Sequence, residues 1–339
     1  MPLLPFCCGH ARAEHQARFH YVRRSGAGTG FAQGTLGEGI NAAGAITGGY
    51  ADAADAWHGF VRAADGTVTT FYAPGAGTGE AQGTHSLSIN AAGTIAGYYY
   101  DASNVSHGFV RAADAAVTTF DAPGAGARSN QGTTAVGIND AGRITGFYLG
   151  GRSVFHGFVR AASGSLTTFD APGAGTGFGQ GTTGESINAA GAITGNCVDA
   201  NNVFHGFLRA ASGTITTFEA PGAGTGAYQG TLGASINTAG MLAGYYIDAS
   251  DAGHGFVRAT SGATNTFDVT GAGTGANQGT FASGINAAGA VTGYYLDASN
   301  VFHGFGRAAS GAITAFEAPG AGTYNYQGTH GSSINTTGV

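Results

Sequence analysis

Short runs rich in β-branched and aromatic residues alternate along this chain with clusters of Gly, Asn, Asp and Pro. In the first full copy of the pattern, residues 35–40 predict a strand closed by Asn41-Ala42-Ala43-Gly44. Asn tolerates left-handed geometry at such a turn, and Gly takes positive φ at little cost. Residues 45–52 predict a second strand, 53–57 a loop, and 58–63 a third strand closed by Ala64-Asp65-Gly66. Residues 67–72, with Thr69-Thr70-Phe71 at their centre, predict a fourth strand from β-branched content. Pro74-Gly75-Ala76-Gly77 then opens a Gly-rich connector. No stretch of ten or more residues shows helical spacing of its apolar positions.

The pattern repeats without drift. A Gln-Gly-Thr step recurs at Gln33, Gln82, Gln131, Gln180, Gln229, Gln278 and Gln327, always 49 residues apart. Each unit is therefore one structural module with no insertions. Four short antiparallel strands per unit fit a β-propeller blade better than a solenoid coil, whose repeats are usually shorter. Blades pack face to face, which accounts for apolar residues at successive strand positions such as Tyr245-Tyr246-Ile247. The expected fold is all-β, a propeller of six complete four-stranded blades spanning 18–339, after an irregular leader at 1–17. Residues 17–30 align with a worn fourth strand and connector, and 327–339 with a further first strand. An incomplete seventh blade is the alternative.

Composition narrows the chemistry. Charged residues are only 9% of the chain, but 42% is apolar, which argues against disorder. The net charge is −6 and there is no Lys, which argues against nucleic acid or an anionic membrane surface as partner. Mechanisms needing a Lys Schiff base or a phosphate-binding Lys are likewise removed. No apolar run is long enough for a membrane span. Cys7, Cys8 and Cys197 have no disulfide or metal spacing, and no export signal is visible. Cys197 replaces a Tyr of the second strand, where it reads as a packing residue.

Three side chains recur in the second and third strands. With the hairpin centred on residue 55, Asp52 faces His58, Tyr50 faces Phe60 and Gly48 faces Arg62. The Gly would leave room for the guanidinium to stack beside the rings. The set returns as Asp101, His107, Arg111; Asp199, His205, Arg209; Asp248, His254, Arg258; and Asp297, His303, Arg307. The third copy keeps His156 and Arg160 but has Gly150. A clip fixing each hairpin suits residues wanted in every blade; a ring of metal or acid–base groups is the competing reading.

His-Gly-Phe, set after Ile-Asn-x-x-Gly-x-Ile-x-Gly-x-x-x-Asp and before Thr-Thr-Phe-Asp-Ala-Pro-Gly-Ala, resembles the HAF-type bacterial extracellular repeat, with His-Gly-Phe in place of His-Ala-Phe. The resemblance covers about 33–339. It implies an extracellular or cell-surface β-propeller and brings no catalytic residues. The logic is similar to that of WD-type propellers, where a His and an Asp tie a blade together.

Asp101-Ala102-Ser103-Asn104 and its copies place oxygens at alternate positions, as calcium would need. The loop lacks the turn Gly and the bidentate Glu, so Asx turns are the preferred reading and no cofactor is expected. The connectors carry Phe31, Phe178, Tyr228, Tyr324 and Tyr326, aromatics on polar loops suited to stacking on a sugar or on another chain. A non-enzymatic binding module for a neutral glycan or a cell-surface protein is therefore expected, with avidity from repeated equivalent sites. Two alternatives stand beside it. Glu38 and Glu185 share a register three units apart, diametrically opposed in a six-place ring, the arrangement a polysaccharide hydrolase or lyase would use. Unfinished end strands could instead make the chain a spacer that self-associates.

Overall fold

The computed structural model describes residues 26–28 and 33–338, so the leader and Phe31 lie outside the described residues. Each unit forms a four-stranded antiparallel sheet. In the first, β1 is Gly34–Ile40, β2 Ile46–Ala51, β3 Trp57–Arg62 and β4 Val68–Phe71. Six complete units give 24 strands, and β5 (Gly83–Ile89) opens the second. No helix is present among the described residues. The units follow one another around an axis with their first strands side by side, which makes the chain a β-propeller.

Successive units share little backbone pairing: Trp57 N–H reaches Gln82 O at 2.8 Å, and one parallel bridge joins Trp57 to Gly83. Packing and side-chain amides do the rest. Phe60, Phe109, Phe158, Phe207, Phe256 and Phe305 are fully buried, each in the third strand of its unit. Such burial stabilises by about 1.5–3 kcal/mol per ring. The fourth-strand Phe of one unit meets the buried Phe of the next edge-on, as Phe71 meets Phe109 at 5.8 Å. The space this requires is made by glycine: a Cβ at Gly48 would stand 1.9 Å from Leu36 O and 3.0 Å from the Phe60 ring.

At the end of the ring that carries the first-to-second-strand turns, seven asparagines close a circuit. Asn41 Nδ2 donates to Asn90 O, Asn90 to Asn139, Asn139 to Asn188, Asn188 to Asn237, Asn237 to Asn286, Asn286 to Asn335, and Asn335 back to Asn41, at 2.9–3.3 Å. The first six use Oδ1 to accept the N–H four residues on, as Asn41 does from Ala45 at 3.0 Å. Positive φ in the first turn belongs to Gly44, at 82°, so Asn41 is there for its amide. Residues 327–338 supply the seventh member.

The second-to-third-strand hairpin is displaced from the expected register. Tyr50 faces His58, Gly48 faces Phe60 and Ile46 faces Arg62. Asp52 N–H donates to Ala56 O at 3.0 Å, so the turn centres on residue 54 and the partner strand slides by two. A slip of two preserves which face each side chain occupies. It also removes Arg from the Gly: the guanidinium lies instead over the fourth-strand Phe of the preceding unit, Arg111 over Phe71 at 4.9 Å and Arg209 over Phe169 at 5.0 Å. Arg111 Nε and Arg209 Nε and Nη1 are buried without a hydrogen-bond partner. Burial lowers the pKa of both groups, and the ring face is the compensation offered.

Asn139 tests the closure. Replacing it by Ala removes the bonds to Asn188 O and from Arg143 N–H, both 2.9 Å. The expected loss is about 1–3 kcal/mol in urea unfolding. A midpoint unchanged from that of the parent chain would show that packing alone closes the ring.

Candidate functional site

Strand directions put the second-to-third-strand loops and the connectors at the opposite end from the asparagine circuit. A glutamine side chain anchors the connectors before Gln82, Gln131, Gln180, Gln229 and Gln278 there. Gln82 Oε1 accepts Gly79 N–H at 2.9 Å, while Nε2 donates to Ala102 O and Asn104 Oδ1 at 3.2 and 3.1 Å. Gly77 N–H donates to Tyr100 O and Ala81 N–H to Asp55 O, so the connector is tied to the loops on both sides. This mount leaves some side chains free to face solvent. Phe178 is 85% exposed, Tyr324 78%, Tyr228 69% and Tyr326 61%. Tyr228 and Tyr326 stand at left-handed backbone positions, φ 65° and 59°, held by 2.7 Å bonds from their N–H to Asn202 O and Asn300 O. For a bulky side chain that geometry costs on the order of 1–2 kcal/mol.

Tyr326 also begins an aromatic ladder. Its ring is 6.4 Å from Phe302, and Phe302 packs on His330 at 4.1 Å. His330 meets Tyr294 at 4.4 Å, Tyr294 stacks with Phe281 at 5.2 Å, and Phe281 meets Tyr245 at 5.1 Å. The last three rings line the axial cavity, so aromatic surface runs from the connector end to the centre.

Each repeated His except His156 sits between two polar partners. His58 Nε2 is 2.8 Å from Asp52 Oδ2 and its ring stacks on Tyr50 at 4.6 Å. Asp52 Oδ1 accepts the N–H of Ala54 and Ala56, an Asx turn that uses the oxygens considered above for calcium. His107, His205, His254 and His303 stand 3.3–3.6 Å from Asp101, Asp199, Asp248 and Asp297. Sequence reasoning missed the second partner. Nδ1 meets Tyr72 Oη in the first unit, then Asp121, Asp170, Glu219, Asp268 and Glu317. The signal was available as an acid directly after the Thr-Thr-Phe-like step of every unit but the first, again every 49 residues. His156, opposite Gly150, keeps Asp170 at 2.9 Å. Among the described residues no three His, Cys, Asp or Glu side chains converge as metal ligands. Cys197 is buried and its thiol is pushed up to about 12, chiefly by burial.

The axial cavity has a volume of about 580 Å³ and brings Glu38 and Glu185 together with Leu87, Val136, Ala234, Ser283 and Ser332. In the six complete units a β-bulge creates this position. The β1–β2 ladder jumps between Gly37 and Gly39, leaving Glu38 unpaired, and Glu185 is skipped between Gly184 and Ser186. A bulge breaks the alternation and re-aims its extra residue, here toward the axis. With seven places in the asparagine circuit, the two acids are three places apart one way and four the other, not diametrically opposed. Burial raises the pKa of both, the Thr183 hydroxyl offsetting part of the effect at Glu185.

The architecture thus defines a repeat propeller with aromatic connectors at one end and two acids at its axis. Known structures are similar to it in fold. A mutant of the Aleuria aurantia lectin in complex with alpha-methyl-L-fucoside matches 86% of this chain and 94% of its own, at 13% identity and a TM-score of 0.50. The BP39L lectin from Burkholderia pseudomallei matches 80% of this chain and 79% of its own, at 9% identity and 0.51. A prolyl endopeptidase matches 80% of this chain but only 40% of its own, at 11% identity and 0.52. These likenesses concern the fold. No protein-family model and no curated protein matches the chain.

The histidines give a test of the electrostatics. Burial opposes protonation of His205 and His303, but Glu219 with Asp199, and Glu317 with Asp297, outweigh it and raise both pKa values. Their stabilising contribution is complete below the ordinary value near 6.5 and is lost as pH rises through the raised folded value. An NMR titration is expected to place both imidazoles above that ordinary value. Midpoints at or below it would contradict the pairing.

Proposed function

We propose that this chain is a non-enzymatic carbohydrate-binding propeller, which holds neutral glycans on the connector end through Phe178, Tyr228, Tyr324 and Tyr326. The observation that carries the reading is the mounting of these four exposed rings on connectors pinned by hydrogen bonds. A sugar ring stacks on an aromatic face that is already fixed, so little ordering is spent on binding. Strain accepted at Tyr228 and Tyr326 points the same way. The low charge of the chain suits a neutral ligand. Two neighbours in fold are lectins, one of them in complex with a fucoside. Weak contacts on several connectors would add through avidity on a polymer. The likeness to HAF-type repeats supports an extracellular or cell-surface setting, where such polymers are met.

The expected outcome is binding to one or more neutral glycans on an array, confirmed by calorimetry. Serine at Phe178, Tyr228, Tyr324 or Tyr326 should each weaken binding roughly tenfold or less, and the fourfold variant should lose it. The four rings are exposed and serine leaves the backbone bonds in place, so thermal stability should hold. Glycan binding untouched in the fourfold variant would refute the assignment.

A further inference from the structure

We infer that the axial cavity is a second binding site, independent of the connector rings, and that it takes a small linear organic diamine or polyamine.

Four observations carry this. The cavity, at about 580 Å³, is in the size range of small-molecule sites. Its two carboxylates occupy the bulge position that in each of the six complete units turns a side chain to the axis, and they are the charged side chains among those so placed. No Arg, Lys or His is among the residues lining it, so both acids lack a cationic partner there. The walls combine ring surface from Tyr245, Tyr294, Phe281 and Phe147 with aliphatic side chains and neutral hydroxyls such as Ser235 and Ser283.

An ammonium group is the ligand chemistry that uses all of these. It pairs with a carboxylate and is attracted to ring faces, while an alkyl chain fills the apolar stretch. Two ammonium groups are required by charge: a monoamine would leave the second half-buried carboxylate unpaired. A neutral sugar would leave both so. A hard metal ion would need several oxygen ligands close together and has no use for aromatic walls. Burial raises the pKa of Glu38 and Glu185, and a bound diamine would act against that shift by stabilising the ionised carboxylates. Tyr98 beside Glu38 and Tyr245 beside Glu185 are themselves held protonated, burial being the main cause, which leaves their hydroxyls as donors and adds no competing charge.

Calorimetry of the full chain with 1,5-diaminopentane and with spermidine tests the site, using pentylamine and 1,5-pentanediol as comparisons. The expected result is one diamine per chain, with pentylamine at least tenfold weaker and the diol silent. Glu38→Gln and Glu185→Gln should each weaken diamine binding at least tenfold while leaving glycan binding at the connectors unchanged. Ala234→Arg, which sets a cation into the same cavity without touching either acid, should abolish diamine binding and serves if the Gln variants fold poorly. Absence of diamine binding, equal binding of the diol, or indifference to all three substitutions would overturn the inference. So would turnover of a polysaccharide abolished by the Gln variants, since the two carboxylates would then be a catalytic pair.

Discussion

Seven asparagine amides make the ring one object. The backbone ladders run within units and cross between them at a single bridge per junction, so little main-chain pairing opposes separation of the blades. Each of the first six amides does two things at once: Oδ1 shapes its own turn through the N–H four residues on, and Nδ2 holds the carbonyl of the next Asn. The turn sets the orientation of the amide before the neighbour arrives, which reduces the entropy lost on closure. Because the bond runs carbonyl to amide in one direction, seven places satisfy one another only as a closed circuit, which Asn335 completes on Asn41.

That closure frees other positions from structural duty. The bulge position carries Glu, Leu, Val, Glu, Ala and Ser around the six units, since its side chain belongs to no ladder and meets the axis. The left-handed connector position carries Ala81, Asn130, Gly179, Tyr228, Asn277 and Tyr326, because a loop carbonyl holds its backbone N–H whatever the side chain is. Variation is confined to places where the backbone is held by something else. Buried Phe60 and its five equivalents do not vary at all, being the contact on which neighbouring units stack.

Much of this was legible as spacing. The period, the four strands and the turns follow from where Gly, Asn and β-branched residues recur, because those preferences are local. What was not legible depends on partners in other units. Arg111 looks, along its own hairpin, like a neighbour of Gly97, but its ring partner Phe71 lies in the preceding blade. The register slip escaped because a shift of two changes no face and so leaves the hydrophobic pattern as it was. The bulge at Glu38 runs against simple alternation, which would place Glu38 on the same face as Leu36. The second acids, Asp121 and its equivalents, were visible as a repeat but not as partners of the histidines, since fourteen residues and a turn separate the two.

The two left-handed tyrosines stand on the two loops with glutamate below them. Tyr228 is held by Asn202 O in the loop closed by Asp199, and that Asp meets His205, whose other nitrogen faces Glu219. Tyr326 is held by Asn300 O above Asp297, His303 and Glu317 in the same way. In both units the longer acid also accepts from a threonine of the next blade, Thr231 or Thr329, at 2.8 Å. An Asp at this place has one fewer carbon with which to span both His and Thr. Glutamate thus ties loop, histidine and neighbouring blade into one chain of hydrogen bonds beneath each strained aromatic, and it helps to raise the pKa of His205 and His303. The added bond to a neighbouring blade therefore lies under the bulky side chains that adopt the left-handed backbone.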